Sequence, residues 1–276
     1  MAKKQKKGPD EMTFLDHLEE LRWHIIRSVL AVLIIAIVAF IMKDFIFGTI
    51  ILGPQEADFI TYRFFCDLSQ KFGLDDAFCT TEIGFDIQNR TMAGQFTAHM
   101  WTSIWTGIVL GFPYLAYELW KFISPGLYEK ERRNAKGFIF VTSFLFFLGA
   151  AFGYFLISPL SINFFGTYQV SNAVENKIDL DSYISLVRSS VLACGVIFEL
   201  PIIIYFFTKI GLVTPDFLRT YRRHAVVVVL LVSAIITPPD IISQIIVSIP
   251  ILILYEVSIY ISAYVLKRDK KKMTNI

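Results

Sequence analysis

The residues from Ser189 to Thr208 read SSVLACGVIFELPIIIYFFT and contain one charged side chain, Glu199, near their middle. About 20 apolar residues form a helix long enough to cross a hydrocarbon layer of about 30 Å. A carboxylate at that depth costs about 2.5 to 3.5 kcal/mol on insertion scales, so a purely structural helix would avoid it. Two interpretations remain open. Glu199 either bonds to a neighbouring helix for structural reasons, or forms a polar functional site, which Pro201 favours because it loosens the local backbone.

The rest of the chain has the same apolar character. Its mean hydropathy is +0.56, it contains 26 phenylalanines, and only 18% of its 276 residues are charged. This composition excludes an ordinary soluble domain and predicts an all-α membrane protein. The six apolar runs that predict transmembrane helices are Ile25–Phe47, Ala98–Ile123, Gly137–Ile157, Ser189–Thr208, Ala225–Ile236 and Ile241–Leu266.

The fifth predicted span is too short to cross the membrane. Ala225–Ile236 has 12 residues, which rise only about 18 Å as a helix. The turn from Thr237 to Asp240 that follows is therefore expected below the far membrane surface, within protein or thinned lipid.

Basic residues predict the orientation of the chain. With a cytoplasmic N-terminus, 20 of the 26 lysines and arginines fall on or next to the cytoplasmic side. Cytoplasmic loops carry such an excess, so both termini are expected in the cytoplasm and the protein in the cytoplasmic (inner) membrane. The first apolar run follows an acidic stretch and lacks a small-residue cleavage site, so it is not expected to be a removable signal.

The predicted organisation is one membrane domain, residues 13–266, between basic cytoplasmic tails at 1–12 and 267–276. Residues 48–95 and 158–187 are expected to form ordered extracytoplasmic caps, since they are longer than a plain connection requires.

Cysteine positions agree with this topology. Cys66 and Cys79 share the first predicted cap, where an oxidising compartment would allow a disulfide worth about 3 kcal/mol. Two unrelated thiols are the alternative. Cys194 is most simply a small core residue.

Motifs of enzymes are absent from the sequence. It contains no nucleophile elbow, no HExxH, no P-loop and no dinucleotide-binding glycine pattern, and no histidine lies at ligand spacing from the cysteines. We therefore expect no catalysis, no cofactor, no metal ion and no nucleic acid partner.

Acidic residues occur unexpectedly on the basic side of the membrane. The stretch from Thr13 to Arg22 predicts an amphipathic helix that carries Glu19 and Glu20, and Glu131 lies in the next cytoplasmic loop. These acids either pair with arginines of their own segments, which is worth little at a surface, or form a receptor for a basic ligand. Carboxylates at a membrane interface suit the guanidinium fork better than lysine.

The order of five motifs resembles the TatC family, the six-span receptor and core of the twin-arginine protein translocase, over Phe14 to Leu266. The motifs are Phe14-Leu-Asp-His-Leu-Glu-Glu-Leu-Arg22, Phe122-Ile-Ser-Pro-Gly-Leu-Tyr128, Glu131-Arg-Arg133, Phe198-Glu-Leu-Pro201, and Thr237-Pro-Pro-Asp240 followed by Ser243-Gln244. The resemblance implies a curved, glove-like bundle of six helices with short fifth and sixth spans.

The resemblance also implies partners and residue roles. Glu20 and Glu131, supported by Glu19 and Arg22, would bind the twin-arginine motif of signal peptides on folded cargo proteins. Glu199 would face the concave pocket. Thr237, Asp240 and Gln244 would form the contact region for single-span partners of the TatA and TatB type, and the chain would self-associate in a larger complex among membrane lipids.

The sequence departs from the family pattern at one position of the amphipathic helix. Many family members carry arginine where this chain has His24, so the charge of that helix face can depend on pH here.

An ion-coupled secondary transporter is the alternative function, since an intramembrane glutamate and broken helices suit such carriers. That alternative predicts repeat symmetry, which the sequence lacks, and gives no role to the cytoplasmic acids.

Overall fold

A computed structural model describes residues 14–71, 79, 85–124, 135–171, 173 and 176–274 of this chain. The larger helices are α1 (Phe14–Ile41), α2 (Ile60–Lys71), α3 (Gly94–Ile123), α4 (Ala135–Phe152), α5 (Ser158–Thr167), α6 (Leu180–Phe198), α7 (Leu200–Lys209), α8 (Pro215–Thr220), α9 (Arg222–Ile236) and α10 (Ile241–Thr274). Shorter segments are a helical turn (Lys43–Phe45), two π-helices (Ile46–Ile51 and Gly153–Ile157), a 3₁₀-helix (Gly53–Gln55) and two strands, β1 (Asp86–Gln88) and β2 (Lys177–Asp179).

Four helical stretches of the described chain are long and apolar enough to cross a membrane. They are Leu18–Ile41, Gly137–Thr167, Leu180–Lys209 and Ser243–Arg268. Each overlaps a predicted span, which confirms a helical, multi-pass membrane protein. The first predicted span is not one regular helix to Phe47, because α1 stops at Ile41 and is followed by the helical turn Lys43–Phe45 and the π-helix Ile46–Ile51.

The second predicted cap, 158–187, is mostly a continuation of helices. The helix that begins at Ala135 passes through the second π-helix into α5 and ends at Thr167, and α6 already begins at Leu180. The Ser158-Pro159 pair suggests a break because proline lacks an N–H. The wider turn of the π-helix accommodates the missing N–H of Pro159. The Ser158 hydroxyl donates to the Gly153 carbonyl at 2.9 Å.

The fifth and sixth predicted spans differ in length. Helix α9 has 15 residues, which rise about 22 Å, so this span is short as expected. Thr237 and Pro238 in the following turn are buried. Helix α10 has 34 residues, but this length includes residues of the basic tail and so does not measure the sixth span. Lysine and arginine favour helix, and the helix therefore continues from its apolar part into the basic tail.

The chain forms two compact units. One comprises Met1–Met42 with Ser103–Phe144, and the other Lys43–Thr102 with Leu145–Ile276. In the first unit, the glycines of Gly107-Ile-Val-Leu-Gly111 let α3 approach α1 closely. A Cβ at Gly107 would lie 2.6 Å from the Val32 carbonyl oxygen. Small residues four apart allow such close packing in membranes, where no hydrophobic force drives helices together.

In the second unit, glycines four residues apart likewise allow α4 and the π-helix after it to approach α6 closely. A Cβ at Gly149 would overlap the Cys194 carbonyl oxygen and lie 2.7 Å from the Phe198 Cβ. A Cβ at Gly153 would overlap the Ser190 carbonyl oxygen. The core of this unit adds a buried cluster made of Ile157, Cys194, Val229, Val247 and Ile251.

The first predicted cap is ordered by hydrogen bonds of buried tyrosines. The Tyr62 hydroxyl lies 3.0 Å from the Pro54 carbonyl oxygen and 2.9 Å from that of Pro159. Burial raises the pKa of Tyr62, so its hydroxyl remains a donor. The Tyr183 hydroxyl donates to the Ile51 carbonyl at 2.9 Å. These bonds attach α2 and the segment before it to α5 and α6.

A disulfide and a small sheet complete the cap. The sulfur atoms of Cys66 and Cys79 are bonded, with their Cα atoms 4.5 Å apart. β1 pairs with β2 in parallel, with Ile87 opposite Ile178. The backbone N–H of Arg90 also donates to the Asp179 carboxylate at 3.3 Å. The short sheet is a departure from the expected all-helical architecture, and it joins the two predicted extracytoplasmic segments.

Candidate functional site

The cytoplasmic acids are only partly described. Glu19, Glu20 and Arg22 are exposed near the start of α1. Glu131 lies outside the described residues, so its distance from Glu20 is not defined. The amphipathic helix predicted from Thr13 to Arg22 is continuous with the first span, since α1 runs from Phe14 to Ile41 without a break. Glu20 is therefore carried on a rigid element.

A buried polar cluster in the first unit was not expected. Glu118 in α3 is only 3% exposed, although it lies inside a predicted span. One carboxylate oxygen, Oε2, lies 2.5 Å from Nδ1 of His24 and 3.9 Å from Nη1 of Arg27. The Tyr114 hydroxyl donates to the other oxygen at 3.0 Å. One feature of the sequence could have indicated this cluster: a glutamate follows a tyrosine by four residues in an apolar run, which places both side chains on one helix face.

Glu199 lies at the junction of α6 and α7. It is 8% exposed, and its Oε1 has no hydrogen-bond partner within the described chain. Its backbone N–H donates to the Val196 carbonyl at 3.1 Å. Pro201 falls in the first turn of α7, where a missing N–H is tolerated. The Glu199 carboxylate also makes a hydrogen bond with the backbone of Phe146 in α4. Bonding to a neighbouring helix and a polar functional site therefore both stay open as interpretations of Glu199.

Glu199→Gln tests the functional interpretation of this residue. The amide keeps hydrogen-bonding capacity and removes a potential buried charge, so the free energy of unfolding should stay equal or rise by up to about 1 kcal/mol. Export of a folded reporter should nevertheless slow several-fold in cells that depend on this chain. Thermal unfolding of the purified protein and the export rate measure the two effects. Unfolding of the variant in mild detergent would instead mark Glu199 as structural.

The polar turn between α9 and α10 is tied to its own helices. The Thr237 hydroxyl donates to the Ser233 carbonyl at 2.8 Å. Asp240 caps α10, because its carboxylate accepts from the Ser243 N–H at 2.8 Å. The Gln244 amide donates to the Leu230 carbonyl at 3.1 Å. The bonds of Thr237 and Gln244 therefore point back to α9, while that of Asp240 caps α10.

Metal ligands are not assembled in the described residues. No group of three or more histidine, cysteine or carboxylate side chains is positioned there to hold an ion. Cys194 is a buried thiol in the core of the second unit.

Apolar helices of crossing length define a multi-pass membrane protein. The sequence model of the family described as Sec-independent protein translocase protein (TatC) matches residues 16–250. The TatC protein of Blattabacterium sp. subsp. Periplaneta americana (strain BPLAN) is 46% identical over 264 residues, which cover 95% of this chain and 99% of that protein. TatCy of Bacillus subtilis (strain 168) is 32% identical, with 95% and 93% covered.

A solved structure gives the same result. The crystal structure of the twin arginine translocase receptor TatC superposes with a TM-score of 0.67 at 29% identity, and the match covers 91% of this chain and 99% of that one. The chain belongs to the TatC family, a family of Sec-independent protein translocase components. These comparisons give no support to the secondary transporter alternative.

Proposed function

We propose that this chain is the signal-peptide receptor and core of a twin-arginine translocase that exports folded proteins across the cytoplasmic membrane. The observation that carries the proposal is the exposed position of Glu20 near the start of α1, a carboxylate on the side where basic residues prevail. A carboxylate there can accept a bidentate guanidinium bond. Family membership and the match to the solved receptor support the same function.

The proposed binding site pairs Glu20 with Glu131, each of which would hold one arginine of an incoming signal peptide. Glu19 and Arg22 flank Glu20 and would orient its carboxylate when no peptide is bound. No covalent chemistry is required of this chain, since binding and insertion of the peptide suffice.

Partners and orientation follow the same proposal. Single-span proteins of the TatA and TatB type would contact Thr237 and Asp240 in the turn after α9 and Gln244 at the start of α10. The disulfide between Cys66 and Cys79 supports an extracytoplasmic position for the first cap. Both termini would then lie in the cytoplasm, in agreement with the basic residues.

Peptide binding to the purified full chain in lipid nanodiscs tests the receptor function. Wild type should bind a signal peptide with an Arg-Arg pair more tightly than its Lys-Lys version. A charge-assisted bond is worth about 1.5 to 3 kcal/mol, so Glu20→Gln or Glu131→Gln should weaken Arg-Arg binding by roughly ten- to a hundredfold. Arg22→Ala should weaken binding of the Arg-Arg peptide less than either glutamine substitution does. Equal binding of both peptides by wild type, or full arginine preference in both glutamine variants, would refute the assignment.

A further inference from the structure

One stripe of α1 combines an acid with two bases. Glu20, His24 and Arg27 are four and then three residues apart, so they lie on one face of the helix. This inference rests on the proposed function, in which Glu20 binds a guanidinium. Arg27 is permanently charged and stands two turns from Glu20, where it would repel that ligand. His24 would add a second positive charge whenever it is protonated.

Glu118 lies where it offsets these charges. Its carboxylate reaches the stripe from α3, contacts His24 at 2.5 Å and lies 3.9 Å from Arg27. The carboxylate side chain is 3% exposed, whereas that of Arg27 is 47% exposed. A buried charge is screened less by salt than an exposed one, so the field of Glu118 acts on both bases. The Tyr114 hydroxyl donates to the same carboxylate and fixes its orientation.

We propose that Glu118 is a positioning residue for signal-peptide recognition. It holds His24 and neutralises Arg27, so the face of α1 that carries Glu20 keeps a negative potential toward the arginine ligand. Glu118 does not contact the peptide in this proposal. Its effect travels through the α1 stripe, which is one rigid helical element.

The test compares Arg-Arg peptide affinity of the full chain in nanodiscs at low and high salt. Glu118→Gln keeps the size and the hydrogen bonds of the side chain and removes its charge. We expect affinity to fall about three- to tenfold at low salt and less at high salt. Adding Arg27→Gln to that variant should restore affinity to within about twofold of wild type at neutral pH.

Glu256→Gln is the matched control, because Glu256 in α10 also pairs with an arginine, Arg222, at 2.8 Å, but in the other unit. We expect this variant to bind like wild type. The proposal is overturned if Glu118→Gln binds like wild type, or if Arg27→Gln fails to restore binding, since a purely structural defect would not be rescued by removing a charge. Loss of arginine preference in wild type, or normal binding by Glu20→Gln, would instead reject the receptor function itself.

Discussion

Gly149→Ala should destabilise the folded protein by about 1 to 3 kcal/mol, the usual range for overpacking a tight contact. The added Cβ would overlap the Cys194 carbonyl oxygen and press on the Phe198 side chain at 2.7 Å. A backbone oxygen cannot move aside as a flexible side chain can. The two helices must therefore separate, and the buried surface around Ile157 loses contact.

Gly137→Ala is the matched control, because Gly137 belongs to the same helix and a Cβ there has nothing within 4 Å. Alanine has a higher helix propensity than glycine, so this variant should be as stable as wild type or more stable by up to about 1 kcal/mol. Unfolding in detergent micelles, followed by circular dichroism, measures both. Equal effects of the two substitutions would show that the close approach of α4 and α6 contributes nothing.

Replacement of both Cys66 and Cys79 by serine should lower the free energy of unfolding by about 3 kcal/mol. The bond closes a loop with a sequence separation of 13 residues, and its loss frees more conformations of the unfolded cap than of the folded one. Reduction of wild type with a thiol reagent should produce the same decrease. The serine variant should then be insensitive to the reagent.

Mass spectrometry of an unreduced digest checks the bond itself. The peptides that contain Cys66 and Cys79 should be recovered linked, while Cys194, which is buried in the core, should be recovered as a free thiol. Recovery of all three cysteines as free thiols after rapid acid trapping would contradict the bond, and with it the oxidising side assigned to this cap.

Hydropathy predicted most of the fold because a membrane imposes simple rules on length and composition. The crossing helices, the short fifth helix and the unusual position of Glu199 all follow from residue type and count. Helix ends were less predictable. Pro159 has the sequence signature of a break, yet the π-helix before it lets the chain continue to Thr167.

The candidate site was only partly predictable for the same reason. Glu20 stands out in the sequence because it is an acid in a basic segment, and resemblance to a family supplied its role. Glu118 could not be assigned, because its partner His24 lies 94 positions away and their meeting depends on how α1 packs against α3. Gly107 and Gly111, which make that packing close, are visible in the sequence as a four-residue repeat of glycine. The role of Glu131 stays a prediction.

The pairing of β1 with β2 bears on how the chain is made. Asp86 pairs with Lys177, so β1 must wait for synthesis of the residues between them, which takes roughly 5 to 20 s at ordinary elongation rates. The disulfide needs only its nearby cysteines and can close earlier. The cap therefore forms in a fixed order. The disulfide loop closes first, and the strands pair only after the helices between them, α3 to α5, have been made. A ribosome that stalls between the two strands would leave the loop closed and the sheet unformed.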